Sequence, residues 1–178
     1  MHLFGASGSG TTTLGRALAA ALDVPHLDTD DYYWETTDPP YTMKREPMER
    51  IRCIERGIAG AASWVLSGSL CSWGDPLLHR FTLAVFLHLD PEVRIARLAE
   101  RERRRYGGRV LRSGDMHEQS KQFLAWAASY DSATAPIRSR HLHETWMATL
   151  PCPVLRLDSA QPVSALVDAV VERLEPAR

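Results

Sequence analysis

The chain has 178 residues, a formal net charge of -1 and 24% charged side chains, a size that buries one core without staples and a balance that exerts no overall pull on nucleic acid or a membrane surface. Its cysteines, Cys53, Cys71 and Cys152, have no paired spacing, so neither a disulfide framework nor a zinc site is suggested and a reducing cytosol is the natural setting. No apolar stretch approaches a membrane span, and the first residues run straight into a short apolar segment rather than a charged and then apolar leader.

His2-Leu3-Phe4 reads as the first strand, and Leu14 to Leu22, with apolar residues at Leu14, Leu18 and Leu22, as the first helix. Between them lies Gly5-Ala6-Ser7-Gly8-Ser9-Gly10-Thr11-Thr12-Thr13. Gly5 and Gly10 keep the G-x-x-x-x-G spacing of a phosphate-binding loop, and Thr12 stands where that motif takes a hydroxyl for Mg²⁺. Position 11, where the motif has Lys, is Thr. Glycines suit such a loop because it passes through positive φ and brings backbone N–H groups close to phosphate oxygens. The following helix then directs its positive end at the anion. Gly5, Ser7, Gly8, Ser9, Gly10, Thr11, Thr12 and Thr13 are therefore the expected contacts to ATP or GTP, with Thr12 on Mg²⁺; a mere flexible Gly-Ser connection is the alternative.

Further along, Val24 to Asp28 reads as a short strand, Pro47 to Gly60 as a helix, Ser63 to Ser67 as a buried strand and Phe81 to Leu89 as another. Asp90-Pro91-Glu92 has an N-cap Asp followed by Pro at the first helical position, which starts a helix running to about Arg105 and stopping before Gly107-Gly108. Helices are expected over Met116 to Ser129, Ala135 to Ala148 and Val163 to Leu174, and a last strand over Pro153 to Leu157. Strands alternating with helices predict an α/β fold, a three-layer, doubly wound parallel sheet of about five strands in a single domain spanning residues 1–178.

In such a sheet the residues just after each strand line the ligand crevice. After the second strand comes Asp28-Thr29-Asp30-Asp31, followed by Tyr32-Tyr33-Trp34. A hydroxyl attacking a γ-phosphoryl group must be held in line and lose its proton to a nearby carboxylate, and Asp30 is the candidate for that role. Asp31 reads as a helix cap, and Tyr33 and Trp34 as candidates to line an acceptor pocket. The third strand ends in Ser67-Gly68-Ser69, where an acid would be needed to position a hydrolytic water. Asp90 imitates such an acid at the end of the fourth strand, but Pro91 makes it a cap. Lysine occurs only at Lys44 and Lys121, so a cation that neutralises phosphate should be an arginine. Arg94, Arg97, Arg101 and Arg104 or Arg105 recur at spacings of three and four, along one helix face. A solvated face paired with Glu100 and Glu102 is the competing reading of that cluster. His141 and His143, two apart, face different ways on a helix and do not suggest a metal site.

The loop Gly8-Ser9-Gly10-Thr11-Thr12-Thr13 resembles that of archaeal-type cytidylate kinases and adenylate-kinase-related proteins, which also carry Thr in place of Lys. Asp28-Thr29-Asp30 is similar to the Asp-x-Asp of shikimate and gluconate kinases. These resemblances imply a mononucleotide-kinase fold of the P-loop class. They place Asp28 beside Mg²⁺ and Asp30 on the acceptor hydroxyl, Gly68 and Ser69 against the acceptor, and an arginine-rich lid at about 101–116 in which Arg101 and Arg105 stabilise the transferring phosphate. Residues of about 30–60 would bind the acceptor. The expected activity is phosphoryl transfer from ATP or GTP, with Mg²⁺, to a hydroxyl of a small molecule, in the cytoplasm, by a monomer or homodimer with no nucleic-acid or membrane partner. A nucleoside monophosphate or an antibiotic as acceptor, a non-catalytic nucleotide-binding module and a bare nucleoside triphosphatase remain the alternatives.

Overall fold

A computed structural model describes residues 1–134 and 137–174. Strands β1 (His2–Gly5), β2 (His26–Asp28), β3 (Val65–Ser67), β4 (Ala84–His88) and β5 (Val154–Asp158) form one sheet in the order β2-β3-β1-β4-β5. Every pairing is parallel, with Leu3 opposite Ser67 on one side and Val85 on the other. Among the described residues seven α-helices connect and flank the strands: α1 (Thr11–Leu22), α2 (Thr29–Tyr33), α3 (Pro47–Ile58), α4 (Pro91–Tyr106), α5 (His117–Ala128), α6 (Arg140–Met147) and α7 (Val163–Leu174). The expected start of α6 at Ala135 lies outside the described residues, but 137–139 are not helical: α6 begins later than expected, at Arg140, because the Ser139 side chain caps it by accepting from the Leu142 N–H.

Period-2 alternation in the central strands divides the interior into two layers. Leu3, Val65, Val85 and Leu87 pack with Leu14 and Leu18 of α1 and Leu166 and Val170 of α7. Phe4, Leu66, Ala84 and Phe86 point the other way, onto Ile51, Ile54 and Ile58 of α3 and Trp146 and Met147 of α6. Both faces of the sheet are thus covered, which is why its strands read as unbroken apolar runs rather than as alternating ones.

The expected strands prove longer than the observed ones at their starts. Trp64 accepts from the N-terminal amine through its carbonyl at 2.8 Å and only then does β3 begin. Phe81 closes a 3-10 turn over Asp75–Arg80 and packs under the sheet beside His2, so the apolar segment before Ala84 is core without being strand. Helix starts agree better because their caps are local. Asp90 Oδ1 accepts from the N–H groups of Glu92 and Val93 at 2.9 and 3.3 Å, and α4 ends at Gly107, whose φ is 55°.

Candidate active site

β1 and β3 are neighbours whose chains leave for opposite ends of the sheet, so a crevice opens beyond their carboxyl ends. Into it runs the loop after β1. A Cβ on Gly5 would lie 2.5 Å from the Leu87 carbonyl oxygen, and one on Gly8 2.9 Å from that of Arg94. Gly8 and Gly10 take φ of 86° and 91°, the left-handed region that glycine enters without strain. Gly10 caps α1 with no side-chain bond, and a Cβ there would meet nothing within 4 Å. Open space therefore faces the free N–H groups of the first helical turn. Ser9 Oγ is buried and has no partner among the described residues. An uncovered helix start, an orphaned hydroxyl and positive-φ glycines are what a phosphate group fits.

Beside this loop, Thr12 Oγ1 donates to Asp28 Oδ2 at 2.7 Å, bringing together the two residues expected at Mg²⁺. The other oxygen of Asp28 accepts from the Asp30 N–H at 3.1 Å and starts α2. Asp28, and not Asp31, is thus the helix cap, because the chain leaves β2 in an extended conformation at residue 28. That turn projects Asp30 into the crevice. Crowding by protein and the nearby Asp28 carboxylate push its pKa up, while Arg138 and Arg101 pull it down. The result is a carboxylate that holds a proton more readily than an ordinary aspartate while lying between two cations.

Aromatic rings cluster around the residues that follow Asp30. Tyr33 contacts Trp34 and Trp73 edge-on, at centroid distances of 4.9 and 5.8 Å. Arg50, buried on α3, stacks 3.9 Å from the Tyr33 ring centre and donates from Nε to the Arg45 carbonyl at 2.7 Å, yet pairs with no carboxylate among the described residues. At the end of β3 Gly68 takes φ of 105°, and a Cβ there would be 1.8 Å from Thr29 Oγ1. Ser69 Oγ lies 3.1 Å from His143 Nε2, whose other ring nitrogen is 2.7 Å from the Tyr130 hydroxyl. Burial pushes His143 down to about 3, so its ring is neutral. The chain of three is satisfied when Tyr130 donates to Nδ1 and Nε2–H donates to Ser69. His143 is accordingly a buried hydrogen-bonding group.

The arginines of α4 do not act as one face. Arg94 is 1% exposed and fully committed: it donates to the Ala127 carbonyl at 2.9 Å and to Asp131 Oδ2 at 2.9 Å, and also reaches the Ser7 carbonyl. It ties the phosphate loop to α5 and so does not share the open face with Arg97 and Arg101 that helical spacing predicts. Arg103 and Arg104 pair with Glu100, whereas Glu102 is buried. Arg101 reaches toward Asp30 and passes 5.5 Å from the Phe123 ring. Arg105 lies over Tyr41 at 5.1 Å, on the acceptor-side segment. Arg109 pairs with Asp115 at 2.7 Å and with Asp38 at 3.6 Å. The segment expected to be a lid therefore rests on the loop between α2 and α3.

Arg138 escapes sequence reasoning altogether. It lies just before α6, donates from Nη2 to Ser7 Oγ of the phosphate loop, and stacks 4.6 Å from the Trp126 ring. Its Nε is buried with no partner among the described residues. Burial lowers its basicity and Asp30 counteracts that, so the cation sits between the donor loop and the acceptor-side acid. No motif marks it; the scarcity of lysine was the available hint that an arginine would serve.

The AAA domain family model matches residues 2–121. Uncharacterized protein YqaC of Bacillus subtilis (strain 168) is 48% identical over 174 residues, which cover 98% of this chain and 96% of that protein. Among solved structures, a shikimate kinase from Bacteroides thetaiotaomicron superposes with a TM-score of 0.58 at 20% identity over 99% of both chains. A shikimate kinase from Acinetobacter baumannii in complex with shikimate gives 0.54 at 17% identity, covering 97% of this chain and 90% of that one. A gluconokinase from Sinorhizobium meliloti gives 0.50 at 20% identity, with coverage of 97% and 91%. The fold is that of the P-loop small-molecule kinases.

Proposed function

From a chain that belongs to the AAA domain family and has the P-loop kinase fold, we propose a phosphotransferase that moves the γ-phosphoryl group of ATP or GTP to a hydroxyl of a small molecule. The observation that carries this reading is the placement of Asp30, held by the Asp28 cap whose other oxygen meets Thr12 beside the glycine loop, and acted on by the charges of Arg138 and Arg101. A bare hydrolase has no use for a carboxylate on that side, and a binding module has none either.

In the proposed reaction the acceptor oxygen attacks the γ-phosphorus, the bond to the β,γ-bridging oxygen breaks, and the nucleoside diphosphate leaves. The acceptor's proton passes to Asp30, whose raised pKa matches it to receiving one late in the transfer. Gly5 to Thr13 would hold the donor phosphates. Mg²⁺ would be held by Thr12 and, through its outer shell, by Asp28, and would neutralise charge on the β- and γ-oxygens. Thr12 and Asp28 fit that role because hydroxyl and carboxylate already meet.

Arg50 sharpens the substrate class. A buried guanidinium with no carboxylate partner among the described residues, stacked on Tyr33 at the acceptor side, suits an acceptor that brings its own anionic group. Hydroxy acids, of which shikimate is one, and nucleoside monophosphates are the two classes to test first. The test is incubation with Mg²⁺ and ATP or GTP against pooled members of both classes, with mass spectrometry reading any gain of one phosphoryl group. A gain that disappears with Asp30→Asn supports the reading. Unchanged transfer in that variant would falsify the role of Asp30, and hydrolysis without transfer would replace the kinase with a triphosphatase.

A further inference from the structure

The phosphate loop lacks the lysine that would normally reach the β- and γ-phosphates, because position 11 is Thr. We infer that Arg138, entering the crevice from the segment before α6, supplies that charge and binds the γ-phosphate of the donor. The inference rests on the phosphotransferase reading, since it needs a triphosphate in the glycine loop.

Elimination among the described residues narrows the choice. Arg94 has its donors occupied by Asp131 and two carbonyls. Arg103, Arg104 and Arg109 are ion-paired at the surface, and Arg105 lies on Tyr41. Arg50 sits beyond Tyr33, on the acceptor wall. Only Arg101 and Arg138 face Asp30, and of these only Arg138 touches the loop, through Ser7 Oγ.

The environment of Arg138 also asks for an anion. Its Nε–H is buried without a partner, and a desolvated guanidinium is stable only when its donors are met. Ser7 satisfies one of them and is neutral. Trp126 holds the planar group from one face and fixes its direction. A tetrahedral phosphate with two oxygens presented edge-on would take the fork of donors that remains. Thr11, being short, leaves room for this approach where a lysine side chain would have lain. The cation then arrives from a segment outside the loop, so it contacts the γ-phosphate and not the α- or β-phosphate that the loop itself encloses.

The experiment is a set of dissociation constants, measured calorimetrically with Mg²⁺ for ADP and for the non-hydrolysable triphosphate analogue AMP-PNP, and for the matching guanine nucleotides. Arg138→Gln should weaken the triphosphate analogue about ten- to a hundredfold, the loss expected for one charged hydrogen-bonding group, with the diphosphate changed less than about twofold. Adding Thr11→Lys to that variant should restore most of the lost affinity, a rescue that a merely structural arginine would not allow. Arg138→Lys serves as a variant that keeps the charge and should lose less. Equal weakening of diphosphate and triphosphate, no weakening of either, or a triphosphate-specific loss in Arg101→Gln instead would overturn the assignment. Failure of the unaltered protein to bind any of these nucleotides would bring down the phosphotransferase reading, and this inference with it.

Discussion

The donor and acceptor sides of the crevice are built from different materials. On the proposed donor side, glycines with positive φ, serine and threonine hydroxyls and the start of α1 offer backbone N–H groups, and the loop itself carries no cation, Arg138 reaching Ser7 Oγ from outside it. On the proposed acceptor side stand Asp30, Arg50 and a wall of Tyr33, Trp34 and Trp73, with Arg138 near both the loop and Asp30. A P-loop with its own lysine is electrostatically complete before anything else binds. This one is not, and under the assignment proposed above the compensating charge comes from Arg138. The difference teaches that donor binding and crevice assembly should be coupled here: losing an acceptor-side group ought to be felt by the donor's terminal phosphate. Each prediction below tests that division of labour.

The largest effect is expected at Asp30. Asp30→Asn keeps the cap bond from its N–H to Asp28 but removes the proton acceptor, so transfer should fall about 10²- to 10⁴-fold while affinity for the donor diphosphate stays constant. Transfer rates and ADP binding measured on the same preparation check both halves. Next comes the structural tie between the two sides. Asp131→Asn leaves Arg94, 1% exposed, as a buried cation without its counterion. Breaking a fully buried pair costs about 3–5 kcal/mol; Asp131 is 27% exposed and Asn keeps an acceptor, so the loss should be smaller, and because Arg94 also reaches the Ser7 carbonyl, the drop in melting temperature should be accompanied by weaker donor binding. A destabilised protein that binds the donor normally would mean that Arg94 holds α5 and not the loop.

Gly68→Ala ranks third. A Cβ at 1.8 Å from Thr29 Oγ1, on a residue with φ of 105°, has to displace α2 or β3. Strain of that kind is of order 1–3 kcal/mol, and its direction matters more than its size, since Thr29 carries Asp30 with it. Transfer should suffer more than stability, with a melting temperature only slightly lowered and donor affinity retained. Calorimetric melting beside a transfer assay separates the two.

How much of this could be read in the sequence follows from the range of the interactions. The β1–loop–α1 unit, the Asp28 and Asp30 pair, the Asp90 cap and the glycine stop at Gly107 depend on neighbours a few residues away, and all lie where spacing puts them. The layer order follows too, since continuous apolar strands between helices need cover on both faces. Strand beginnings at Val65 and Ala84 were not legible, because Trp64 and Phe81 are as apolar as the strands they precede and are buried beneath the sheet instead of in it. Arg94 has the same helical phase as Arg101, and only the tertiary contact with Asp131 separates a core ion pair from a crevice-facing cation. Arg138 and Arg50 were invisible for the same reason: Ser7 and Arg138 are 131 residues apart, and no local pattern encodes their meeting.

The smallest expected effect is a displacement of pH dependence, and it asks most directly which side governs the reactive carboxylate. Burial and Asp28 raise the Asp30 pKa, and Arg138 and Arg101 lower it. If Asp30 must be ionised to take the acceptor's proton, the acidic limb of the transfer rate lies higher than an ordinary aspartate would place it. Asp28→Asn removes a repelling negative charge, so the ionised form of Asp30 becomes easier to reach and the limb should move to lower pH. Arg101→Gln removes an attracting positive charge and should move it to higher pH. The displacement in Arg101→Gln should shrink in high salt because Arg101 is exposed, and that in Asp28→Asn should shrink less because Asp28 is half-buried. Opposite signs in the two variants would show that the limb belongs to Asp30; a limb that stays put in both would assign it to another group and leave Asp30 as a positioning residue for the acceptor hydroxyl.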